Sequence, residues 1–173
     1  MPARRLRAER PNHVRALDFL FDATSDGRPI KVLAMCDEFT RESIGEHLCR
    51  SITADDVVLV LDEARSTRGT PELIRCDNGP EFVAAAIRDW CRLTGTGTAY
   101  IEPGSPWQNP YVESFNGKAR DELFDREIFD FVFEARVLYH EWRHVCNCLR
   151  PHSSLGYMPP EIFAALFVNP EPS

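Results

Sequence analysis

Apolar residues alternate with polar or small residues in the first part of the chain, which is the pattern of strands that bury a face. Three such stretches, Val14 to Phe21, Ile30 to Cys36 and Glu42 to Cys49, are predicted to be strands. The turn residues from Ser25 to Pro29 lie between the first two and predict a hairpin. The third stretch follows directly, so the three are predicted to form an antiparallel meander.

Helical spacing of apolar residues then alternates with short apolar stretches. Thr53 is expected to cap the first helix, and Asn109 followed by Pro110 is expected to begin a later one. The predicted elements are helices at 53–68, 81–93, 109–125 and 129–146, strands at 73–76 and 96–101, and an extended segment at 150–160. Strands interleaved with helices predict an α/β domain, in which a mixed sheet carries helices on both faces.

Length and composition limit the class of protein. A chain of 173 residues with 43% apolar and 27% charged residues fits one globular domain and excludes a mainly disordered or collagen-like chain. No apolar run reaches the roughly 18 residues that cross a bilayer, so no membrane partner is expected. Residues 1–10 lack the apolar stretch of a secretory signal, which predicts a cytoplasmic location.

The charge of the chain is acidic overall but uneven. Its 27 acidic and 20 basic residues give a net charge of -7, which argues against coating nucleic acid by bulk charge. An enzyme that acts on nucleic acid through metal ions remains possible, because such a site uses carboxylates. Residues 1–10 contain four arginines and one glutamate, which is the pattern of either a basic arm or a solvated tail.

Three carboxylates occupy positions from which they could converge. Asp18 lies inside an apolar strand, where burying a lone carboxylate requires a cation or hydrogen bonds. Asp77 ends a short apolar strand, and Glu113 lies in the first turn of the helix that Asn109 begins. Each also has an ordinary explanation: a solvent-facing strand residue, a turn residue and a partner of the helix dipole.

A second group of candidate ligands lies within five residues. His140, Glu141 and His144 fit the H-E-x-x-H pattern, in which two histidines on one helix face bind zinc and the glutamate activates water. Cys146, Cys148 and His152 follow closely. The pattern has only three fixed letters, so an exposed surface helix is the alternative interpretation.

Longer motifs surround the three carboxylates, and 35 residues separate Asp77 from Glu113. The motifs are Leu17-Asp18-Phe19, residues 76–82 (CDNGPEF), residues 105–116 (SPWQNPYVESFN) and residues 150–157 (RPHSSLGY). They closely resemble the D,D-35-E catalytic region of bacterial insertion-sequence transposases, in the group whose transposase is the second of two overlapping frames. The resemblance extends over roughly residues 12 to 165.

The resemblance implies a ribonuclease-H-like fold, with a mixed five-stranded sheet flanked by helices. It implies that Asp18, Asp77 and Glu113 are the catalytic residues and the ligands of Mg²⁺ or Mn²⁺, with two ions in the site. It also implies the reaction: water cleaves a DNA strand, and the 3′ hydroxyl then attacks another phosphodiester. The remaining alternative is a catalytically silent relic that serves as a DNA- or protein-interaction module.

The same resemblance suggests which residues contact DNA. Arg120 lies two helical turns after Glu113 on the same face, and Asn116 shares that face. Lys118 and Asn78 are the other expected contacts. The expected partners are transposon ends, target DNA and further copies of this chain, in the cytoplasm and on the nucleoid during the reaction.

The chain departs from the family at identifiable places. Arg15 stands where members usually have tryptophan, and Cys146 stands where tyrosine is common, which suggests altered packing. Members also carry a helix-turn-helix region before this core, so poor recognition of transposon ends by this chain alone is expected. The predicted division is a basic tail at 1–11, the catalytic core at 12–148, and an extended C-terminal tail at 149–173 that packs on or trails the core.

Overall fold

The computed structural model describes residues 6–168 and contains a five-stranded sheet. The strands are β1 (Val14–Ala23), β2 (Pro29–Asp37), β3 (Ser43–Cys49), β4 (Leu73–Cys76) and β5 (Gly97–Tyr100). Their order is β3-β2-β1-β4-β5, with β1, β2 and β3 antiparallel and β1, β4 and β5 parallel. The predicted meander and the mixed sheet are therefore confirmed.

Six α-helices complete the described part of the chain. They are α1 (Ala54–Arg68), α2 (Pro80–Val83), α3 (Ala85–Thr94), α4 (Pro110–Ala119), α5 (Val132–Cys148) and α6 (Pro160–Ala165). A π-helical turn at Arg120–Phe124 continues α4, and 3₁₀ turns lie at Pro106–Gln108 and Ser153–Leu155. None of the helices within residues 6–168 has the length and apolar character needed to span a bilayer.

Each face of the sheet has its own apolar core. On one face, Leu17 and Leu33 pack against α1, α2 and α3. On the other face, Ala16 packs with Val112 of α4, and Val32 lies in a cluster with residues of the π-helical turn and α5. Because side chains alternate along β1, Asp18 lies on the α4 side of the sheet, as Ala16 does.

The predicted helix at 81–93 is interrupted. Ala84 has an extended backbone (φ -62°, ψ 155°), which separates α2 from α3. The break changes the helical phase, so Ile87 and Cys91 are buried whereas Ala85 is exposed. The prediction of one continuous helix at 81–93 was therefore wrong.

The C-terminal segment is folded onto the core. His152 and Met158 form an isolated antiparallel bridge, and α6 follows. Phe163 of α6 contacts Phe39 with ring centroids 5.7 Å apart. The described part of the predicted tail, residues 149–168, contacts the core, and it is not extended throughout because it contains α6, whose Phe163 packs against Phe39 after β2.

The two ends of the chain bear on both predicted tails. Residues 169–173 of the predicted C-terminal tail and residues 1–5 of the predicted basic tail lie outside the described residues. From Leu6 onward the N-terminal segment contacts the core, since the Leu6 carbonyl accepts a hydrogen bond of 2.8 Å from Arg75 Nη2.

Arg15, one of the departures from the family, is fully buried in β1. Its Nη2 donates to Asn12 Oδ1 and to the Gly69 carbonyl, both at 2.7 Å. Burial lowers the pKa of the guanidinium to about 10, while the neighbouring charge of Asp37 opposes that shift. A buried cation in β1 therefore connects the segment before β1 to the residue that follows α1.

Candidate active site

Asp18, Asp77 and Glu113 line one cavity of about 460 Å³. They come from β1, from the residue after β4 and from the first turn of α4. Ala16 of β1 pairs with Arg75 of β4 in the parallel register, and continuing that register by two residues places Asp18 level with Asp77. The topology therefore brings together carboxylates that are far apart in the sequence.

Asp18 is held by a side chain of α4. Asn116 Nδ2 donates to Asp18 Oδ2 at 3.2 Å, and Asn116 is itself buried. Burial raises the pKa of the Asp18 carboxyl, the charge of Asp77 adds to the rise, and hydrogen bonds from Phe19 and Asn116 oppose it. Asp18 is thus an oriented carboxylate whose ionisation is costly without a cation.

Asp77 is held by the turn that follows it. The Gly79 amide donates to Asp77 Oδ1 at 2.8 Å. A Cβ atom at position 79 would lie 2.9 Å from that same oxygen, which is closer than real Cβ contacts allow. A side chain at position 79 would therefore displace the Asp77 carboxylate, so glycine matters here for the close approach of its backbone and not for an unusual φ angle.

Glu113 is placed by the way in which α4 begins. Burial and the charge of Asp18 raise the pKa of the Glu113 carboxyl. Asn109 occupies the N-cap position as predicted, but its side chain makes no capping hydrogen bond. Its Nδ2 donates instead to the Leu17 carbonyl at 3.2 Å, which ties the start of α4 to β1 beside Asp18.

The cavity concentrates negative charge. Within residues 6–168, no lysine or arginine forms an ion pair with any of the three carboxylates. Oxygen ligands of this kind suit Mg²⁺, which keeps several waters and binds through few carboxylates. In the described part of the chain, no group of three or more His, Cys, Asp or Glu side chains lies close enough together to hold a metal ion as it stands. The three carboxylates thus line one cavity without meeting at a single point.

Two of the expected DNA contacts lie close to the carboxylates. Asn78 is exposed at the edge of the cavity, and its Nδ2 donates to the Ile101 carbonyl at 3.3 Å. Asn116 is only 5% exposed and contacts Asp18, so its observed contact is with a carboxylate. The sequence pattern placed Asn116 on the correct helix face but did not identify this partner.

The other two expected DNA contacts lie farther along α4. Arg120 Nη1 is 3.2 Å from Asp22 Oδ1 and 3.7 Å from Asp125 Oδ1. Lys118 is exposed and lines a different cavity of about 420 Å³, together with Arg41 and residues of the C-terminal segment. Contact of these two residues with DNA stays a prediction.

The H-E-x-x-H segment lies on α5, away from the carboxylate cavity. His140 Nδ1 is 2.5 Å from Glu46 Oε1 of β3, and the His140 side chain is 66% exposed. His144 Nδ1 lies 3.5 Å from Cys148 Sγ, one helical turn further along α5. The two histidines have separate partners, which is the arrangement of a surface helix.

One polar group beside the site was missed by the sequence analysis. Arg75 of β4 is buried together with Glu38, which follows β2, and the two form an ion pair. The available signal was an arginine between apolar residues two positions before Asp77. The sequence gives no indication of its partner, because Glu38 is far away along the chain.

The chain matches known protein families and individual proteins. Residues 8–106 match the family described as Integrase core domain, and residues 94–160 match a second family with the same description. The chain is 44% identical over 160 residues to an uncharacterized 39.2 kDa protein of insertion element IS476 from Xanthomonas euvesicatoria, covering 92% of this chain and 46% of that protein. It is 41% identical over 155 residues to an uncharacterized 31.7 kDa protein of insertion element IS407 from Burkholderia multivorans, covering 90% and 56%. The chain thus spans about half the length of the curated relatives it matches.

Solved structures with the same fold include the following two viral proteins. The catalytic core domain of HTLV-2 integrase in complex with magnesium has a TM-score of 0.72 at 17% identity, covering 91% of this chain and 99% of that one. A chain in the structure of the simian T-cell lymphotropic virus intasome in complex with PP2A regulatory subunit B56 gamma has a TM-score of 0.75 at 17% identity, covering 97% of this chain and 60% of that one. These likenesses confirm the predicted ribonuclease-H-like fold class.

Proposed function

The chain belongs to the integrase core domain family, and from this premise we propose that it is the catalytic core of an insertion-sequence transposase, which cleaves and joins DNA strands with divalent metal ions. The observation that carries the proposal is the cavity lined by Asp18, Asp77 and Glu113. Three carboxylates with no basic partner among residues 6–168 favour a cation at that place.

In this proposal Asp18, Asp77 and Glu113 are the catalytic residues and hold Mg²⁺ or Mn²⁺, with two ions in the working site. Bound ions of this kind activate a water or hydroxyl nucleophile and neutralise charge on the leaving oxygen. The protein contributes orientation: Asn116 fixes the Asp18 carboxylate, and the Gly79 amide fixes the Asp77 carboxylate. No side-chain nucleophile is required for such a displacement.

The proposed substrates are the DNA ends of the element and its target DNA, with several copies of the chain assembled on them. Asn78 lies at the cavity edge and is placed to contact a strand there. Arg120 and Lys118 are proposed to contact phosphates farther along the strand, and Arg120 must then exchange Asp22 for a phosphate. The proposed place of action is the cytoplasm, with the nucleoid as the site of the reaction.

A strand-transfer assay tests this proposal. Pre-nicked DNA carrying the ends of the element is incubated with the wild type, Asp77→Asn or Asp89→Asn, with and without Mg²⁺. Asp89 is a control because it is an exposed acidic residue of α3 that pairs with Arg92. We expect metal-dependent product from the wild type and Asp89→Asn, and at least about a thousandfold less from Asp77→Asn, a loss of about 4 kcal/mol of transition-state stabilisation. Equal background from all three proteins would overturn the proposal and leave a non-catalytic interaction module.

A further inference from the structure

Arg75 lies in β4 immediately beneath the part of the chain that leads into α4. Its neighbours Ile74 and Cys76 point into the core on the opposite face of the sheet. The Arg75 side chain is only 6% exposed and is directed to the α4 side. A guanidinium in such a place is expected to have several specific partners.

Among residues 6–168, partners from three segments of the chain contact the guanidinium. Nη1 donates to the Gln108 carbonyl at 3.1 Å, and Nη2 donates to the Leu6 carbonyl at 2.8 Å. Nε lies 3.3 Å from Glu38 Oε1, and the Glu38 side chain is fully buried. One side chain thus connects β4 to the N-terminal segment, to the end of β2 and to the residue before Asn109.

Gln108 also makes a hydrogen bond at the rim of the cavity that is lined by the three carboxylates. Its side-chain Oε1 accepts a hydrogen bond of 2.8 Å from the Glu102 amide. Residues 101–105 between β5 and α4 line the cavity. The connection from β5 to α4 is therefore held at its start by the Gln108 side chain and at its end by Arg75.

We propose that Arg75 is a positioning residue, which sets the placement of Glu113 relative to Asp77. It is two residues from Asp77 on the same strand, and its partner Gln108 directly precedes the residue that begins the helix of Glu113. This inference rests on the proposed function, because the placement of Glu113 relative to Asp77 affects catalysis only if both residues act in the same site. Small displacements of reacting groups cost large factors in rate, so such a connection affects catalysis.

Stability alone does not account for a buried arginine at this position. Replacing a buried ion pair with apolar residues is often neutral or stabilising, whereas removing one partner is strongly destabilising. Arginine differs from other residues in presenting five N–H donors in a rigid fork, which lets it serve two carbonyls and a carboxylate at once. Lysine could remain opposite Glu38, but it could not hold Gln108 and Leu6 in the same geometry.

The test separates ion pairing from positioning. The double variant Arg75→Met/Glu38→Met removes the pair without leaving a buried charge, and Arg75→Lys keeps a charge opposite Glu38. The control is Arg136→Met, because Arg136 also donates to a carbonyl, that of Leu48 at 3.0 Å, but on β3. Thermal melting, hydrogen exchange of amides in residues 101–113, Mn²⁺ affinity and kcat with KM are measured for each protein.

We expect the double variant to melt within a few degrees of the wild type and to exchange amides of residues 101–113 at least tenfold faster. Mn²⁺ affinity is expected to fall about tenfold or more, as for loss of groups that orient metal ligands. The kcat is expected to fall while KM changes little, and Arg136→Met is expected to match the wild type in exchange and Mn²⁺ affinity. If the double variant does not fold, Arg75→Lys takes its place in the test. It is expected to show the same faster exchange, weaker Mn²⁺ binding and lower kcat.

Wild-type exchange and Mn²⁺ affinity in a folded double variant would overturn the inference and make Arg75 merely structural. The same result in Arg75→Lys would overturn it if the double variant does not fold. Failure of the proposed function is recognised separately, because the wild type itself would then give no metal-dependent DNA product. Exchange and Mn²⁺ binding would still report whether Arg75 places the carboxylates.

Discussion

Two regions of this chain resemble metal sites in sequence, but the fold brings the residues of only one of them to a common cavity. Asp18, Asp77 and Glu113 are widely separated along the chain, yet they line one cavity. His140 and His144 are four residues apart on one helix, yet one contacts Glu46 and the other lies near Cys148. Closeness in sequence is therefore a poor guide to a shared site, whereas strand order is a good one.

The physical reason lies in what each element faces. Parallel strands β1 and β4 are neighbours, and α4 crosses the same face of the sheet, so three elements contribute to one cavity. In α5, His140 faces Glu46 of β3, whereas His144 lies near the thiol of Cys148 on α5 itself. A helix motif predicts a shared face but does not predict what that face contacts.

The largest difference between the two regions is expected in catalysis. Asp18→Asn and Glu113→Gln should each lower DNA cleavage about a thousandfold, since each removes a proposed metal ligand. The double variant His140→Ala/His144→Ala should stay within about twofold of the wild type. Strand cleavage with Mg²⁺ is the measurement, and zinc analysis of the purified protein accompanies it. Stoichiometric zinc that disappears in the histidine variant would reverse the comparison.

A smaller effect is expected from moving a carboxylate without changing it. Gly79→Ala should lower the cleavage rate about 10- to 100-fold, because the new Cβ displaces the Asp77 carboxylate. Gly117→Ala is the matched control, since a Cβ there meets nothing within 4 Å. It should retain wild-type Mn²⁺ affinity, while Gly79→Ala weakens it. Equal Mn²⁺ affinities would show that Asp77 tolerates the displacement.

The burial of the carboxylates, together with their smaller mutual repulsion, should be visible in the stability of the protein. The folded pKa values of Asp18 and Glu113 are raised above their ordinary values of 3.8 and 4.5. The stability that protonation gives is fully present below those ordinary values and is lost as the pH rises through the raised folded values. At pH 7 without metal, Asp18→Asn should therefore melt about 2–4 °C above the wild type, the effect of roughly 1 kcal/mol in a domain of this size.

This difference in melting temperature should shrink as the pH falls, because the wild-type carboxyl then becomes protonated as well. Melting scans from pH 7 to pH 4 in metal-free buffer measure it. Addition of Mn²⁺ should raise the melting temperature of the wild type and leave that of Asp18→Asn nearly unchanged. A variant that melts below the wild type at every pH would argue that Asp18 stabilises the fold as an ordinary hydrogen-bond acceptor.

The smallest effect is expected on α5. His140→Ala should change the free energy of unfolding by no more than about 1 kcal/mol, because exposed pairs of this kind contribute little. Chemical denaturation at pH 7 measures this, with Glu141→Ala on the same helix as the comparison. A much larger loss would indicate that His140 has a structural role that its contact with Glu46 does not explain.

The sequence was a sufficient guide where local patterns and topology agree. Alternation in β1 correctly placed Ala16 and Leu17 on opposite faces, and short apolar stretches correctly marked β4 and β5. The break at Ala84 was not predictable, since Ala84, Ala85 and Ala86 are good helix formers. Local propensity is overridden in such places by tertiary contacts.

The candidate site was predictable in its carboxylates but not in the groups that orient them. The positions of Asp18, Asp77 and Glu113 followed from motifs. The contact of Asn109 with Leu17, and that of Arg75 with Gln108, join residues distant in sequence. A single sequence holds no record of such pairings, because the same side chains could equally cap a helix or face solvent.

Because β1 lies at the centre of the sheet, the three carboxylates of the cavity are held with different rigidity. Asp18 stands on a strand bordered by β2 and β4, whereas Asp77 stands on an exposed turn and Glu113 on the opening turn of a helix. Central strands open last in a fold, and turns and helix ends open first. Of the three proposed ligands, Asp18 is therefore the fixed one and Asp77 and Glu113 are the adjustable ones, so any movement on DNA binding is expected at Asp77 and Glu113.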